Sequence, residues 1–502
     1  MVAAFDAPPV RITAVSQVPT RYVAALGGVM SYFSSFGVSP ELIRGALGVA
    51  LSRGADDADL YFEHLETNSV SLSDNKVNRA STHVDLGVGV RVRVGDQVGY
   101  AYSEDLSAAA IQRAAAMAAE IAAFGKASRP VEEPGAARRL ADRYPERVPW
   151  DTVPMETRVQ MVRAWERRSF ELDPRIRKVE VSLIDAEKRI LIARPDGRLI
   201  EDHLPMTRAH IVCTAEQAGR RETGSYNLAS RQGIDFYSPD RVERLCQSAV
   251  EGTAILFEAG KAPNGEMTVV LGAGSSGILL HEAIGHGLEA DFNRKGVSIY
   301  ADRLGQRIAP PGVTVVDDGT LPYARGTINN DDEGNPTERT VLIEDGILRS
   351  YLHDEISARH YGVNPTGSGR RESFRHVVLP RMRATYMERG GYSAEEVIGS
   401  VKRGIYCKTF SNGQVQIGAG DFAFYVKQGF LIEDGKLTQP IKDVNLIGNG
   451  PAVLAAVEMV ADDLQIDEGG WTCGKDGQSV PVSLGMPTVR VSAITVGGVN
   501  AE

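Results

Sequence analysis

Cysteine is scarce in this chain, with four in 502 residues: Cys213, Cys246, Cys407 and Cys473. They are too few and too dispersed for a disulfide framework, so reduced thiols are expected, one of them free to be a ligand. No apolar run approaches the roughly 20 residues that cross a bilayer as a helix, and no membrane partner is expected. Met1 to Pro19 carries Asp6, Pro8, Pro9 and Arg11 and lacks an apolar signal core, so a cytoplasmic location is the expectation. Basic charge is also short. Lys and Arg number 55 against 65 Asp and Glu, a net charge of −10, which does not suit direct binding to nucleic-acid backbone. What remains is 43% hydrophobic and 24% charged, the balance of an ordinary soluble globular protein with length for two to four domains.

The segment Leu280-His281-Glu282-Ala283-Ile284-Gly285-His286-Gly287 carries the chemistry. Metal-assisted peptide hydrolysis needs neutral nitrogen ligands and a carboxylate to take a proton from water. The spacing H-E-x-x-x-H is one residue longer than the common zinc-protease helix motif. Ligands at i and i+4 are offset by about 40° and share a helix face; at i and i+5 the offset is about 140°. His281 and His286 can therefore meet on one metal only if the helix is underwound. A single π-turn would achieve this. Gly285 and Gly287 each weaken regular helix by about 1 kcal/mol relative to Ala, and supply room for the distortion. The bland alternative is a helix whose histidines are merely packed or solvated.

A rival motif overlaps this one. Gly272-Ala-Gly274-Ser-Ser-Gly277 fits G-x-G-x-x-G after an apolar strand, with Asp291 or Asp302 available as a ribose acid. Glycines in the following helix, a hairpin-rich continuation and the unexplained His281-Glu282 and His286 oppose a nucleotide site. The simpler reading is a tight strand-to-helix turn with Ser275 or Ser276 as the cap.

The pattern reads as α+β: an N-terminal mixed α/β region, then a β-rich C-terminal domain carrying a short metal-binding helix. Residues 1–20 read as a loose extension, 21–261 as the first domain and 262–502 as the catalytic domain. Helices are expected over 21–34, 39–53 (opened by Ser39-Pro40-Glu41), 106–124, 152–170 and 239–259. Strands are expected at Asp59–Thr67, Ser69–Ser73, Val84–Val94, Gln97–Tyr102, Lys178–Asp185, Arg189–Arg194, Arg198–His203, Arg208–Ala215 and Glu266–Leu271. Residues 127–150 read as a linker. Asp345-Gly346 and Asp434-Gly435 read as hairpin turns.

A catalytic zinc usually has three protein ligands plus water. His64, His83, His203, His210, His353, His360 and His376, the carboxylates and the cysteines are all candidates for the third. Cys213, Cys246 and Cys407 lie in apolar strand or helix patterns and read as core. Cys473 stands apart, in the glycine-rich Gly469–Gln478, where a small residue in a turn is the competing reading.

His281–Asp291 (HEAIGHGLEAD), Leu446–Pro451 (LIGNGP) and Thr472–Val482 (TCGKDGQSVPV) occur in the order seen in the TldD/PmbA family, and resemble its TldD type of subunit. Leu86–Tyr100 and Pro380–Met387 extend the resemblance, which covers about residues 29–500. It implies a metallopeptidase whose metal ligands are His281, His286 and Cys473 and whose catalytic glutamate is Glu282. It also implies a homologous TldE or PmbA partner lacking the metal motif, and short or unfolded peptides as substrates, cleaved in an enclosed cavity and bound as an added strand. Zinc suits the donor set, and iron is compatible with it. For the donor that stabilises the carbonyl oxygen, His353, His360, His376 and Tyr300 are candidates. A noncatalytic scaffold with a structural metal is the other class to weigh; such a site usually closes with four protein ligands, and three are evident.

Overall fold

The computed structural model describes residues 32–498, apart from 123, 124, 128 and 417. The expected extension at 1–20, and most of the helix expected at 21–34, lie outside the described residues; Phe33–Phe36 form one 3-10 turn. The N-terminal half is built on one long antiparallel sheet. Its strands lie in the order Gln97–Ser103, Lys76–Val94, Asp57–Ser73, Ile176–Ala193, Leu199–Gln217 and Arg220–Ser230. Helices Pro40–Leu51 and Ala108–Ile121 bury Ile43, Leu47, Ile111 and Ala115 against Leu60, Phe62, Val88 and Val90. Helices Met155–Leu172 and Pro239–Ala254 bury Val162, Trp165, Leu245 and Cys246 against Val179, Val181, Ile211 and Cys213. Ser39, Ser107 and Ser238 cap three of these helices through their hydroxyls.

Three expectations need correction here. The strand pairs 59–67 with 69–73, 178–185 with 189–194, and 198–203 with 208–215 are single strands. Polar residues such as Glu187 and Lys188 interrupt the hydrophobic alternation, yet their backbone keeps register with Pro205 and Leu204. The Arg220–Ser230 strand is polar and carries Gly224, and pairing with its neighbour makes it a strand. The 127–150 stretch is no loose linker: Ala137–Arg138 pairs with Leu199–Ile200, and Tyr144 and Trp150 are buried.

From Gly265 onward the chain is β-rich. Strands Arg403–Gln416, Gly265–Leu271, Val489–Gly498, Val444–Asn449 and Asp421–Glu433 pair in that cyclic order, so the sheet closes into a barrel. A second sheet brings Ala384–Met387 parallel to Ser483–Met486. One core joins Leu271, Ile405, Phe424 and Leu446 of the barrel to Leu279, Leu280, Ala283 and Ile284 of the metal-motif helix. The Asp-Gly hairpins form as expected, with left-handed backbone at Asp345-Gly346 and Asp434-Gly435. Among the described residues no helix is long and apolar enough to cross a membrane.

Candidate metal centre

Gly277–Leu280 begins as α-helix, and His281–Gly285 then widens into a π-turn, with the His286 amide donating to the His281 carbonyl. The extra residue between the histidines is absorbed there. The rings of His281 and His286 lie edge to face, 5.1 Å between centroids. Gly285 is required by packing: a Cβ at that position would sit 2.0 Å from Met382 Sδ. Gly450, inside LIGNGP, lets its backbone approach Ala283, since a Cβ there would be 2.4 Å from the Ala283 carbonyl oxygen. Gly285→Ala should therefore destabilise the protein by about 1–3 kcal/mol and lower metal occupancy. Chemical unfolding and metal counting on the same preparation check this; a variant as stable and as metallated as the parent would count against the packing argument.

Cys473 arrives on a two-residue hairpin. Thr472–Lys475 pairs with Gln478–Pro481 around Asp476-Gly477, both with left-handed backbone. The hairpin replaces the glycine-rich loop expected around Cys473. Ligand atoms of His281, His286 and Cys473 all lie within 4.8 Å of one another, and all three residues are buried. His286 Nε2 is 3.4 Å from Cys473 Sγ. Tetrahedral zinc with bonds of about 2.0 and 2.3 Å would hold such a nitrogen and sulfur about 3.5 Å apart, so this pair is spaced for one ion. His281 Nδ1 is buried with no protein partner among the described residues. Burial alone would push the Cys473 thiol up, but the two imidazoles outweigh it and hold the thiol well below its usual range.

A buried charge network orients this set. His286 Nδ1 lies 3.0 Å from Glu289 Oε2. If Nδ1 carries the proton, Nε2 is left with its lone pair facing Cys473. Glu289 is fully buried; burial would raise its carboxyl, but Lys475 and His286 bring it down to about 2. Lys475 Nζ is 3.1 Å from Glu289 and 2.7 Å from Asp291. Arg381 donates to the Cys473 carbonyl at 2.6 Å. Sequence reasoning missed Glu289, Lys475 and Arg381, and named Asp291 only as a ribose acid of the rival motif. The signal was available: Lys475 lies two residues beyond Cys473 on one strand, hence on the same face, and Glu289 follows His286 by three.

Glu282 is largely buried, its Oε2 3.8 Å from His286 Nε2. Burial raises its carboxyl above the ordinary value, against the pull of both histidines. Of the other expected residues, Tyr300 packs its ring against Gly287 and its hydroxyl has no partner among the described residues. His353 is buried directly after Leu352, which bridges to Glu289. His360 is exposed, and His376 sits 3.0 Å from Ser373 Oγ. Cys213, Cys246 and Cys407 are core, as expected. Neither Ser275 nor Ser276 caps the helix: Ser275 donates to the Lys408 carbonyl, and the Ser276 hydroxyl has no partner among the described residues. The glycines of the rival motif serve packing. Gly272 and Gly274 amides donate to Cys407 and Met486 carbonyls, each at 2.9 Å, and a Cβ on Gly277 would strike the Gly485 backbone at 2.6 Å.

Three family models, described as PmbA/TldA metallopeptidase domain 1, central domain and C-terminal domain, match residues 58–122, 148–256 and 264–498. The chain belongs to the PmbA/TldD metallopeptidase family. It is 39% identical over 470 residues to a metalloprotease TldD homolog of Haemophilus influenzae, covering 92% of this chain and 97% of that one. A zinc metalloprotease TldD homolog of Saccharolobus solfataricus is 34% identical over 241 residues, 48% of this chain and 53% of its own. The fold is shared with the crystal structure of TldE from Thermococcus kodakarensis, with TM-score 0.71 and 18% identity over 91% of this chain and 99% of that one. As a PmbA/TldD member the chain is a metalloprotease, and His281, His286 and Cys473 are its candidate metal site.

A second group with ligand-type atoms within 4.8 Å is Glu146, Glu187 and His203, in the N-terminal half. Protein partners account for most of it: Glu187 accepts from the Trp150 amide at 3.1 Å and contacts His203 Nε2. Burial and the neighbouring Glu187 push Glu146 up to about 8, and burial with Asp151 pushes Glu187 up to about 7. Burial takes His203 down to about 4. The two raised carboxyls give stability that is full below their unfolded value near 4.5 and is lost as pH rises through 7 to 8. His203 works oppositely, with stability lost as pH falls from 6.5 toward 4. Glu146→Gln, which cannot ionise, should flatten the fall in melting temperature between pH 5 and 8. A variant with the parental slope would show that Glu146 does not titrate there.

Proposed function

We propose that this chain is the catalytic subunit of a two-subunit zinc peptidase that hydrolyses short or unfolded peptides, with a homologous TldE/PmbA-like chain as partner. The observation that carries this reading is the meeting of two imidazoles and a buried thiol beside Glu282, on a π-turn that the i, i+5 spacing requires. His281, His286 and Cys473 would hold the ion, and the soft thiolate with two imidazoles suits zinc, with iron compatible by ligand type. The relative named a zinc metalloprotease supports zinc. When bound, the metal supplies Lewis acidity toward the scissile carbonyl and the attacking water.

Glu282 takes the proton from that water on its carboxylate and delivers it to the leaving amine. Its partial burial suits the role, because a raised carboxyl both accepts and returns a proton readily. Glu289, with Lys475 behind it, holds His286 in one orientation. Three protein donors leave a position open for substrate, whereas a structural site would usually close with four. The shared fold of a TldE chain supports a related partner. The test of the subunit assignment is peptide cleavage by the metallated chain alone and with a TldE-like chain. Cleavage that rises with the partner and that the partner alone does not show is expected. Activity residing in the partner alone would overturn the assignment.

A further inference from the structure

Thr472–Lys475 and Gln478–Pro481 form a two-stranded sheet with no third strand among the described residues. A lone hairpin of this length is marginally stable in water, because it buries little. This one delivers Cys473, so groups beyond its own ladder must hold it. Three arginines do so. At the entry, Arg325 donates to the Trp471 carbonyl at 2.9 Å and to Thr472 Oγ1 at 3.3 Å. Across the middle, Arg381 donates to the Cys473 carbonyl at 2.6 Å and to the Gln478 carbonyl at 3.4 Å. At the exit, Arg370 donates to the Pro481 carbonyl at 2.8 Å and to the Met382 carbonyl at 2.7 Å.

Arg370 and Arg381 are buried. Arg370 forms no ion pair among the described residues, and Arg381 lies 4.0 Å from Glu289 Oε1. Burying a guanidinium against neutral carbonyls is costly. What it supplies is a rigid fork of donors, so that one side chain takes two carbonyls at once. The far partner of each fork leads back to the imidazoles. The Met382 sulfur fills the space where a side chain on Gly285 would sit, in the π-turn between His281 and His286. Glu289 holds His286 through Nδ1. The segment around Met382 also follows the hairpin by its own backbone. The Pro380 carbonyl accepts from Lys475 Nζ at 3.1 Å, and the Arg383 carbonyl accepts from the Ser483 amide at 2.9 Å.

We propose that Arg325, Arg370 and Arg381 are positioning residues for the metal centre. They clamp the Cys473 hairpin against the segment 380–383, which itself packs on the π-turn, and so set the approach of the thiol to His286 before an ion binds. The inference rests on the reading of His281, His286 and Cys473 as the metal ligands. Each guanidinium acts through a carbonyl or hydroxyl at the hairpin and touches neither ion nor substrate. A clamped hairpin is already ordered, whereas a loosened one must be ordered by the ion, and that cost appears as lost affinity.

The test uses the full chain, stripped of metal by a chelator and titrated with cobalt(II). A thiolate ligand gives cobalt an intense charge-transfer band, so the spectrum reports the sulfur directly. Arg370→Gln and Arg381→Gln should each bind cobalt about 10- to 100-fold more weakly than the parent, with a weaker sulfur band at saturation. Arg325→Gln, at the partly exposed arm, should lose about tenfold, and it keeps the test open if the buried variants fail to fold. Arg158→Gln controls for lost stability alone, since Arg158 is also buried but pairs with Asp185 in the N-terminal half. It should unfold more easily and keep the parental affinity for cobalt. Parental affinity and band in Arg325→Gln, or in whichever buried variant folds, would overturn the clamp. An equal loss of affinity in Arg158→Gln would overturn it too. A parent that binds cobalt without a sulfur band would instead sink the ligand set on which the clamp rests.

Discussion

Glu282→Gln is expected to keep its metal and lose peptide hydrolysis by a factor of about 10² to 10⁴ in kcat, with KM little changed. The size follows from what is removed. Glutamine matches the glutamate in shape, so the π-turn, both imidazoles and the thiolate stay in place. Only the group that carries the proton from water to the leaving amine is lost. Substrate binding and the ion's effect on the carbonyl persist, which sets the floor on residual activity. Steady-state kinetics on preparations of matched metal content measure the effect. A variant within tenfold of the parent would remove Glu282 from the mechanism and leave the ligands to another role.

The second large effect concerns the metal itself. Cys473→Ala is expected to lose bound metal almost entirely, because a site of three protein donors cannot spare one. The lowered thiol and its 3.4 Å approach to His286 Nε2 are the grounds for this. Glu289→Gln should be milder. It keeps a hydrogen-bonding side chain beside His286 but removes the charge that Lys475 and Arg381 face, and about a 10- to 100-fold loss of metal affinity is expected. Competition with a chromophoric chelator ranks the two variants. Full metal retention by Cys473→Ala would refute the ligand set, whereas an unchanged Glu289→Gln would refute only the supporting role of the carboxylate.

The ordering of these effects matches what was legible in the sequence. Helical geometry alone turns the five-residue offset between His281 and His286 into a required π-turn, and the structure has it. Cys473 stood out because the other cysteines sit in apolar patterns that mark them as core. Glu289 and Lys475 were missed although each stands at a readable spacing from a metal ligand, since nothing periodic pairs a buried carboxylate with an ammonium about 190 residues away. Once folded, they meet because Glu289 leaves the helix in extended conformation to bridge Leu352, while the hairpin aims Lys475 at it. The fold shows the same division. Local rules gave the helix start at Ser39 and the Asp-Gly turns. The continuity of the long strands through polar stretches, and the Arg220–Ser230 strand, depend on a neighbour's backbone and not on the strand's own side chains. The arginines beside the Cys473 hairpin were equally silent, because they come from segments scattered between residues 325 and 381.

The ligand set is tested most directly by X-ray absorption at the metal edge on the purified chain. The expected first shell has one sulfur at about 2.3 Å, two imidazole nitrogens at about 2.0 Å and one lighter oxygen donor in the open position. In Cys473→Ala the sulfur contribution should vanish from whatever metal remains. A wild-type spectrum with no sulfur, or with four protein donors closing the shell, would contradict the reading of this centre as an open His281, His286 and Cys473 site.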